Sequence, residues 1–288
     1  MMWDKYQFKD YLNVNNFEIN NLPDGLNIST MTSSLRDTKL NFNFEKIYNE
    51  LPLSINDIVC VKRNKEDIKT INNDMKKERK KKITTSKKLF FNQMTVVVRV
   101  FENELEKPSM INKERKINFK LFINGSIQMS GVKKIEYANR ALNKLFYHLN
   151  KINSIENFEN LNTKSFFIDM ILVNYRIRVQ INRANLYNLL IKKKIKSSYE
   201  KAIRACVNIK YKPTDADKEI SIFVFQKGNI LIAGAKNKES LINTYNFIND
   251  IIINHIDEII NIDDNEKEKD IMKFYYEVLE ENKHKHIF

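Results

Sequence analysis

Four of the five glycines in this 288-residue chain fall into two Gly-x5-Gly pairs set 103 residues apart. The first pair lies in Lys120-Leu-Phe-Ile-Asn-Gly-Ser-Ile-Gln-Met-Ser-Gly-Val-Lys133, the second in Phe223-Val-Phe-Gln-Lys-Gly-Asn-Ile-Leu-Ile-Ala-Gly-Ala-Lys236. Phe122/Phe225, Gly125/Gly228, Ile127/Ile230, Gly131/Gly234 and Lys133/Lys236 all correspond at that one offset. In a glycine-poor chain such a register marks an internal duplication, and it constrains the fold before any other feature. Each unit reads as a strand, a tight turn and a second short strand. Asn124-Gly125 and Lys227-Gly228 supply the positive φ of the turn. The second glycine of each unit reads as the end of its strand. Helical spacing follows at once, in Ala138, Ala141, Leu142, Leu145, Leu149 and Ile152, and in Leu241, Ile242, Tyr245, Ile248, Ile252 and Ile256. Both helices read as one-faced, each covering one side of a sheet.

The halves also correspond upstream. Met94–Val100 precedes the first hairpin and Ala205–Tyr211 the second, which aligns Arg99 with Lys210. A strand over Leu26–Ser33 leads to a short helix around Phe44–Leu51, matched by Phe166–Tyr175 and a helix around Arg183–Ile191. The order per half is strand, short helix, three or four antiparallel strands, long helix. This α+β plan leaves one sheet face open to a ligand.

Charge needs discounting before it is read as function. The net charge is +13, but residues 62–88 carry twelve Lys/Arg against four Asp/Glu and so hold +8 of it. Asn and Lys are abundant while Gly, Ala and Pro are scarce, the pattern of an AT-rich coding sequence, so basicity alone does not decide for nucleic acid. Segment 62–88 reads as a charged insertion, polar all round, with Lys76–Lys82 as a possible localisation or DNA-tethering patch. Cys60 and Cys206 sit in apolar strand-like runs and read as small core residues of a chain made in a reducing compartment. No apolar stretch is long enough to span a bilayer, and the first ten residues lack the apolar core of a signal peptide. His148, His255, His284 and His286 are scattered. No nucleophile elbow, metal-ligand spacing or phosphate loop appears, so no catalytic residue, metal or cofactor is expected and the chain does not read as an enzyme.

The doubled motif resembles the Phe-x-Ser-Gly-Lys-x-x-x-Thr-Gly-Ala-Lys signature of the TATA-box-binding protein (TBP) family, in the divergent form carried by large nucleocytoplasmic DNA viruses. Ile28-Ser-Thr-Met31 resembles the family's first strand, and Ser197-Ser-Tyr-Glu200 its entry to a DNA-edge loop. The resemblance covers roughly residues 24–260. It implies a saddle in which two pseudo-symmetric repeats form a curved antiparallel sheet with helices on the convex face. Residues 24–153 would form the first repeat and 154–260 the second, with an extension at 1–23 and another at 261–288. Ile271, Phe274, Tyr275, Val278 and Leu279 suggest a short helix in the last of these.

The resemblance also implies a function: minor-groove binding and bending of A·T-rich promoter DNA by a monomeric pseudo-dimer that works with a TFIIB-like factor and RNA polymerase. The family's wedge phenylalanines fall on Phe122 and Phe225, with Phe91 as partner in the first half. Strict register places Gln93 there, and Arg204 in the second half. Arg99 and Lys210 would meet phosphates; Ile28, Thr30, Leu172, Leu231, Phe223 and Ser130 would face the groove; Glu200 would face a protein partner. The family's groove-centre asparagines fall on Leu26 and Met170, its groove threonines on Ser130 and Ala233, and Lys120 stands at an apolar groove position. These departures leave a second reading open, a TBP-fold scaffold in a viral transcription complex with reduced or lost DNA binding. The expected location is the host nucleus or a cytoplasmic viral factory.

Overall fold

A computed structural model describes residues 11–12, 22–36, 38–64, 67–71, 92–101, 114–157, 166–214 and 218–260. Phe91, residues 65–66 and 72–88 of the charged insertion and the C-terminal extension lie outside the described residues. The chain is α+β and divides into two compact units. Unit 1 is drawn from Met1–Asn20 and Thr30–Asp169, unit 2 from Asn21–Ser29 and Met170–Phe288.

Unit 1 holds β3 (Ile58–Lys62), β4 (Ile68–Thr70), β5 (Gln93–Phe101), β6 (Glu114–Phe122), β7 (Ile127–Val132) and most of β1 (Asn27–Leu35), paired antiparallel in the order β4-β3-β5-β6-β7-β1. Helices α1 (Phe44–Glu50) and α2 (Ile135–Lys151) belong to it, as does a separate pair, β2 (Asn41–Phe42) with β8 (Ile155–Glu156). Unit 2 repeats the plan with most of β9 (Phe166–Arg176), α3 (Arg183–Lys192), β10 (Ser197–Ser198), β11 (Cys206–Tyr211), β12 (Ile220–Phe225), β13 (Asn229–Ala235), α4 (Lys238–Asn254) and the single turn α5 (Ile256–Ile259). Its strand order is β10-β11-β12-β13-β9. α2 and α4 are both 17 residues long and start 103 residues apart, the offset of the glycine pairs.

Local chemistry explains the helix starts. Asn43, Asn182 and Asn237 cap α1, α3 and α4 by accepting hydrogen bonds from backbone N–H groups of the first turn. Strands β6, β7, β12 and much of β13 alternate between a buried and an open face. In β5, Met94, Val96, Val98 and Val100 are fully buried beneath α2, and in β11 Val207 and Ile209 are buried in the same way.

The turn glycines are held by more than their own φ. Gly125 (φ +82) and Gly228 (φ +77) each press against the segment joining the first strand of the repeat to its short helix. A Cβ at Gly125 would lie 2.3 Å from the Leu40 carbonyl oxygen; at Gly228 it would lie 2.2 Å from that of Ile177. Thr38 Oγ1 donates to the Gly125 carbonyl at 2.8 Å, and the Ile177 N–H to the Gly228 carbonyl at 3.0 Å. The second glycines do not end their strands. Gly131 and Gly234 lie inside β7 and β13 at positive φ, beside register shifts in the pairing with β1 and β9. They are bulge residues that bend the strand before the helix begins.

Two other expectations are corrected. The charged insertion is not polar throughout: Ile68 and Ile71 pack with Val59, Cys60 and Val97 on the side of the sheet opposite α2, and β4 pairs with β3. α2 is not one-faced, since twelve of its residues are buried against six in α4. Tyr11 and Leu12 cover part of it, with the Tyr11 ring edge-on to Phe146 and its N–H donating to Asn139. Burial pushes the Tyr11 phenol up to about 12. Lys144, 2% exposed, is the least expected core residue of α2. Its ammonium donates to the carbonyls of Asn56 and Arg99 and lies 3.5 Å from Asp57, which His148 also contacts at 3.2 Å. At the equivalent place 103 residues on, Phe247 stacks on Tyr211 with ring centroids 3.9 Å apart.

Candidate nucleic-acid interface

The side of each sheet opposite its long helix carries rows of side chains fixed by strand register. In unit 1, Thr95, Lys120, Gln128 and Ser34 stand in one row, and Val97, Asn118, Ser130 and Thr32 in the next. Phe122 closes the open-face series on β6 as the last strand residue before the turn, opposite Gln93. In unit 2, Asn208, Phe223, Leu231 and Asn174 make one row and Lys210, Ser221, Ala233 and Leu172 another. Phe225 closes β12 opposite Cys206. Both phenylalanines are half-buried and hold their turns alike, each carbonyl accepting from the N–H of the turn glycine.

A TATA-box-binding protein-like protein of Acanthamoeba polyphaga mimivirus is 31% identical over 217 residues, covering 67% of this chain. The aligned part spans 56% of that relative, so the chain matches little more than half its length. The TBP of Methanococcus jannaschii superposes with a TM-score of 0.50 at 18% identity, covering 79% of this chain and 97% of that one. The chain belongs to the TATA-box-binding-protein-like family. Its fold is the TBP fold, and its relationship to the mimivirus protein marks it as the divergent viral form. No family model matches the sequence.

Within this TBP-like frame the candidates separate. Ser130, Leu172, Leu231 and Phe223 stand on the open faces beside the wedge positions. Ile28 and Thr30 are half-buried on β1 and keep the alternation of Thr32. Met170 keeps the alternation of Leu172 on β9, whereas Leu26 is buried at 6% exposure before β1 begins and presents nothing to a ligand.

Arg99 leaves the candidate set. It is 9% exposed, its Nη1 donates to the Ile55 carbonyl at 2.7 Å, and its Nε lies 3.0 Å from Glu114. Nor is it the counterpart of Lys210. Gln93 lies opposite Phe122 and Cys206 opposite Phe225, so pairing outward from the hairpins matches Lys210 with Val97. The same register makes Cys206, not Arg204, the second-repeat equivalent of Gln93. The two-residue difference preserves which face each residue occupies.

Lys210 is half-buried, and its ammonium donates to Ser221 at 2.7 Å. It contributes to a basic edge with Lys196 and Lys212. The Lys196 hydrogen bond, aided by the charges of Lys210 and Lys212, holds the Glu219 carboxyl below its usual range. Glu200 is exposed in a turn whose backbone carbonyl accepts from the N–H groups of Ile203 and Arg204. Arg183 braces this loop by donating to the Ala205 carbonyl at 2.7 Å and to Gln226 at 3.1 Å, with Tyr199 under its guanidinium.

Sequence reasoning missed three groups. Ile123 and Ile203, at 65% and 76% exposure, put apolar surface next to Phe122 and in the loop leading to Cys206. Thr95, Asn118 and Gln128 stand among the open-face rows, and counting back by twos from Phe122 would have found Asn118. Cys206 is not a core residue. It is partly exposed beside Phe225, while Cys60 is fully buried. Burial nonetheless raises the Cys206 thiol, against the lowering effect of Arg204 and Arg183. Its alkylation rate should therefore keep climbing as pH passes the ordinary thiol value of 9.0, as an iodoacetamide pH series would show.

No helix among the described residues is long and apolar enough to cross a membrane. Among the same residues no group of three or more His, Cys, Asp or Glu is placed to hold a metal ion.

Proposed function

We propose that the protein is a non-enzymatic transcription initiation factor that binds A·T-rich promoter DNA through the minor groove and bends it. The observation that carries this reading is the identical setting of Phe122 and Phe225, each the last open-face residue before an equivalent glycine turn. An apolar wedge there can enter a base step and kink the duplex, while neighbouring rows lie along the groove. Ile123 and Ile203 enlarge the apolar tips, and Gln93 and Cys206 take the partner places opposite the wedges. Phe91 remains a candidate second wedge in the first half. Lys210 and the basic edge around it meet phosphate, and the exposed Glu200 loop, braced by Arg183, receives a TFIIB-like factor that recruits RNA polymerase. The protein acts as a monomer in the host nucleus or a cytoplasmic viral factory.

A fluorescence-transfer assay on a doubly labelled A·T-rich duplex tests the central step, with binding measured across a salt series. Bending with an affinity that falls linearly in log salt is expected. Binding with no change in end-to-end distance would overturn the bending step, and the absence of salt-sensitive binding would leave the scaffold reading in its place. A simpler footprint uses the partly exposed thiol: saturating duplex should protect Cys206 from alkylation several-fold, and unchanged labelling would remove Phe225 from the interface.

A further inference from the structure

The open faces of the two units are matched in backbone and opposite in chemistry. At the 103-residue offset, Lys120 faces Phe223's place, Gln128 Leu231's and Ser130 Ala233's. Lys120, Gln128, Asn118, Thr95 and Ser130 make no side-chain hydrogen bond to any described residue, and they are partly exposed. In unit 2 the polar side chains are occupied or, for Asn208 at 9% exposure, buried away from a ligand. Lys210 donates to Ser221, Ser29 to the Asn174 carboxamide oxygen, and Asn208 Oδ1 is buried without a partner. What remains between them is Phe223, Leu231, Ala233 and Leu172. Unit 1 therefore offers free donors and acceptors, and unit 2 an apolar surface.

In the minor groove an A·T pair shows only acceptors at its edge, whereas G·C adds the guanine N2 amino donor. An apolar surface pressed on that amino group strips its water and gives it no acceptor, a cost of about tenfold or more in binding. A carboxamide can accept from it through oxygen while its NH2 group donates to a neighbouring acceptor.

Resting on the DNA-binding reading above, we infer that specificity is divided between the repeats. Unit 2 demands A·T pairs, while unit 1 accepts G·C through Gln128 and Asn118, with Lys120 donating to base acceptors. Gln128/Leu231 is the pair that sets this difference.

The test uses the whole chain and a set of duplexes with one G·C pair moved stepwise through an A·T-rich site. A cleavage reagent tethered to Lys227→Cys, exposed in the hairpin turn of unit 2, in a Cys206→Ser background, marks which stretch of duplex lies on unit 2. Within that stretch a G·C pair should weaken binding about tenfold or more, and inosine·C, which lacks the amino group, should restore it. In the rest of the site a G·C pair should cost less than about threefold. Gln128→Leu with Asn118→Leu should bring the G·C penalty to the tolerant stretch, and Leu231→Gln should relax it on the other. Thermal melting followed by circular dichroism shows that both variants are folded, and each variant's G·C penalty is taken relative to its own affinity for all-A·T duplex. Equal G·C penalties along the whole site, in a complex that still binds and bends, would overturn this inference alone. Failure to bind any duplex would overturn the DNA-binding reading and this division with it.

Discussion

Gly125→Ala and Gly228→Ala are each expected to lower stability by at least about 3 kcal/mol, enough to unfold much of the population at growth temperature. Two costs combine at these positions. The φ values of +82 and +77 strain any L side chain, and the new methyl carbon would meet backbone oxygen at 2.3 Å from Leu40 or 2.2 Å from Ile177. Backbone oxygen cannot swing aside as a flexible side chain can, so the turn must lift away from the first strand's exit. That lift also breaks the hydrogen bonds from Thr38 and Ile177. Gly234→Ala is the control, with comparable strain at φ +116 and no atom nearer than 3.6 Å. It should cost about 1–2 kcal/mol. Urea titrations of the three variants would rank them, and a Gly228→Ala protein as stable as Gly234→Ala would show that the close approach to Ile177 carries no weight.

Phe122→Ala with Phe225→Ala is expected to abolish DNA bending while leaving the fold intact. Both rings are half-buried on the open face, so truncation removes little of the core beneath the helices. Burying a phenylalanine is worth about 1.5–3 kcal/mol, so each single variant should lose roughly 10- to 100-fold in affinity. The double variant loses the wedges themselves, and with them the kink of about 20–90° that such side chains impose. In the fluorescence-transfer assay its end-to-end distance should match free duplex even at saturating protein. The salt slope should change little, because phosphate contacts are untouched. Persistent bending by the double variant would assign the kink to other residues, Ile123 and Ile203 first.

The architecture was legible where the chain repeats itself. The glycine pairs located both hairpins, and α2 and α4 begin at the same 103-residue spacing. The short helices α1 and α3 were placed to within a residue or two by the correspondence of the two halves, and the caps Asn43 and Asn182 that fix their starts went unread. Aligning basic residues misled, since Arg99 and Lys210 match by type while cross-strand pairing matches Lys210 with Val97. Register is set at the hairpin, and loops of unequal length hide it upstream. Cys206 was misplaced because its neighbours Val207 and Ile209 are core, although strand alternation turns it to the other face. The fate of Lys144 was not legible at all, as its counter-ion Asp57 lies 87 residues earlier and neither residue signals the other.

That buried lysine bears on how a duplicated chain sorts itself during folding. Two copies of one plan give every helix two similar sheets on which to land, and early collapse does not distinguish them by hydrophobicity alone. α2 settled on the second sheet would carry the Lys144 ammonium into the place of the Phe247–Tyr211 stack, without Asp57 or the carbonyls of Asn56 and Arg99. Phe247 and Tyr211 are half-buried, so the larger cost falls on Asp57, which is 3% exposed and would be left without its lysine, a loss of several kcal/mol that disfavours the arrangement. α4 on the first sheet would strand Asp57 opposite a phenylalanine with the same result. The ionic cluster on one side and the aromatic stack on the other thus act as a key and its mismatch, giving each half of the duplication an address.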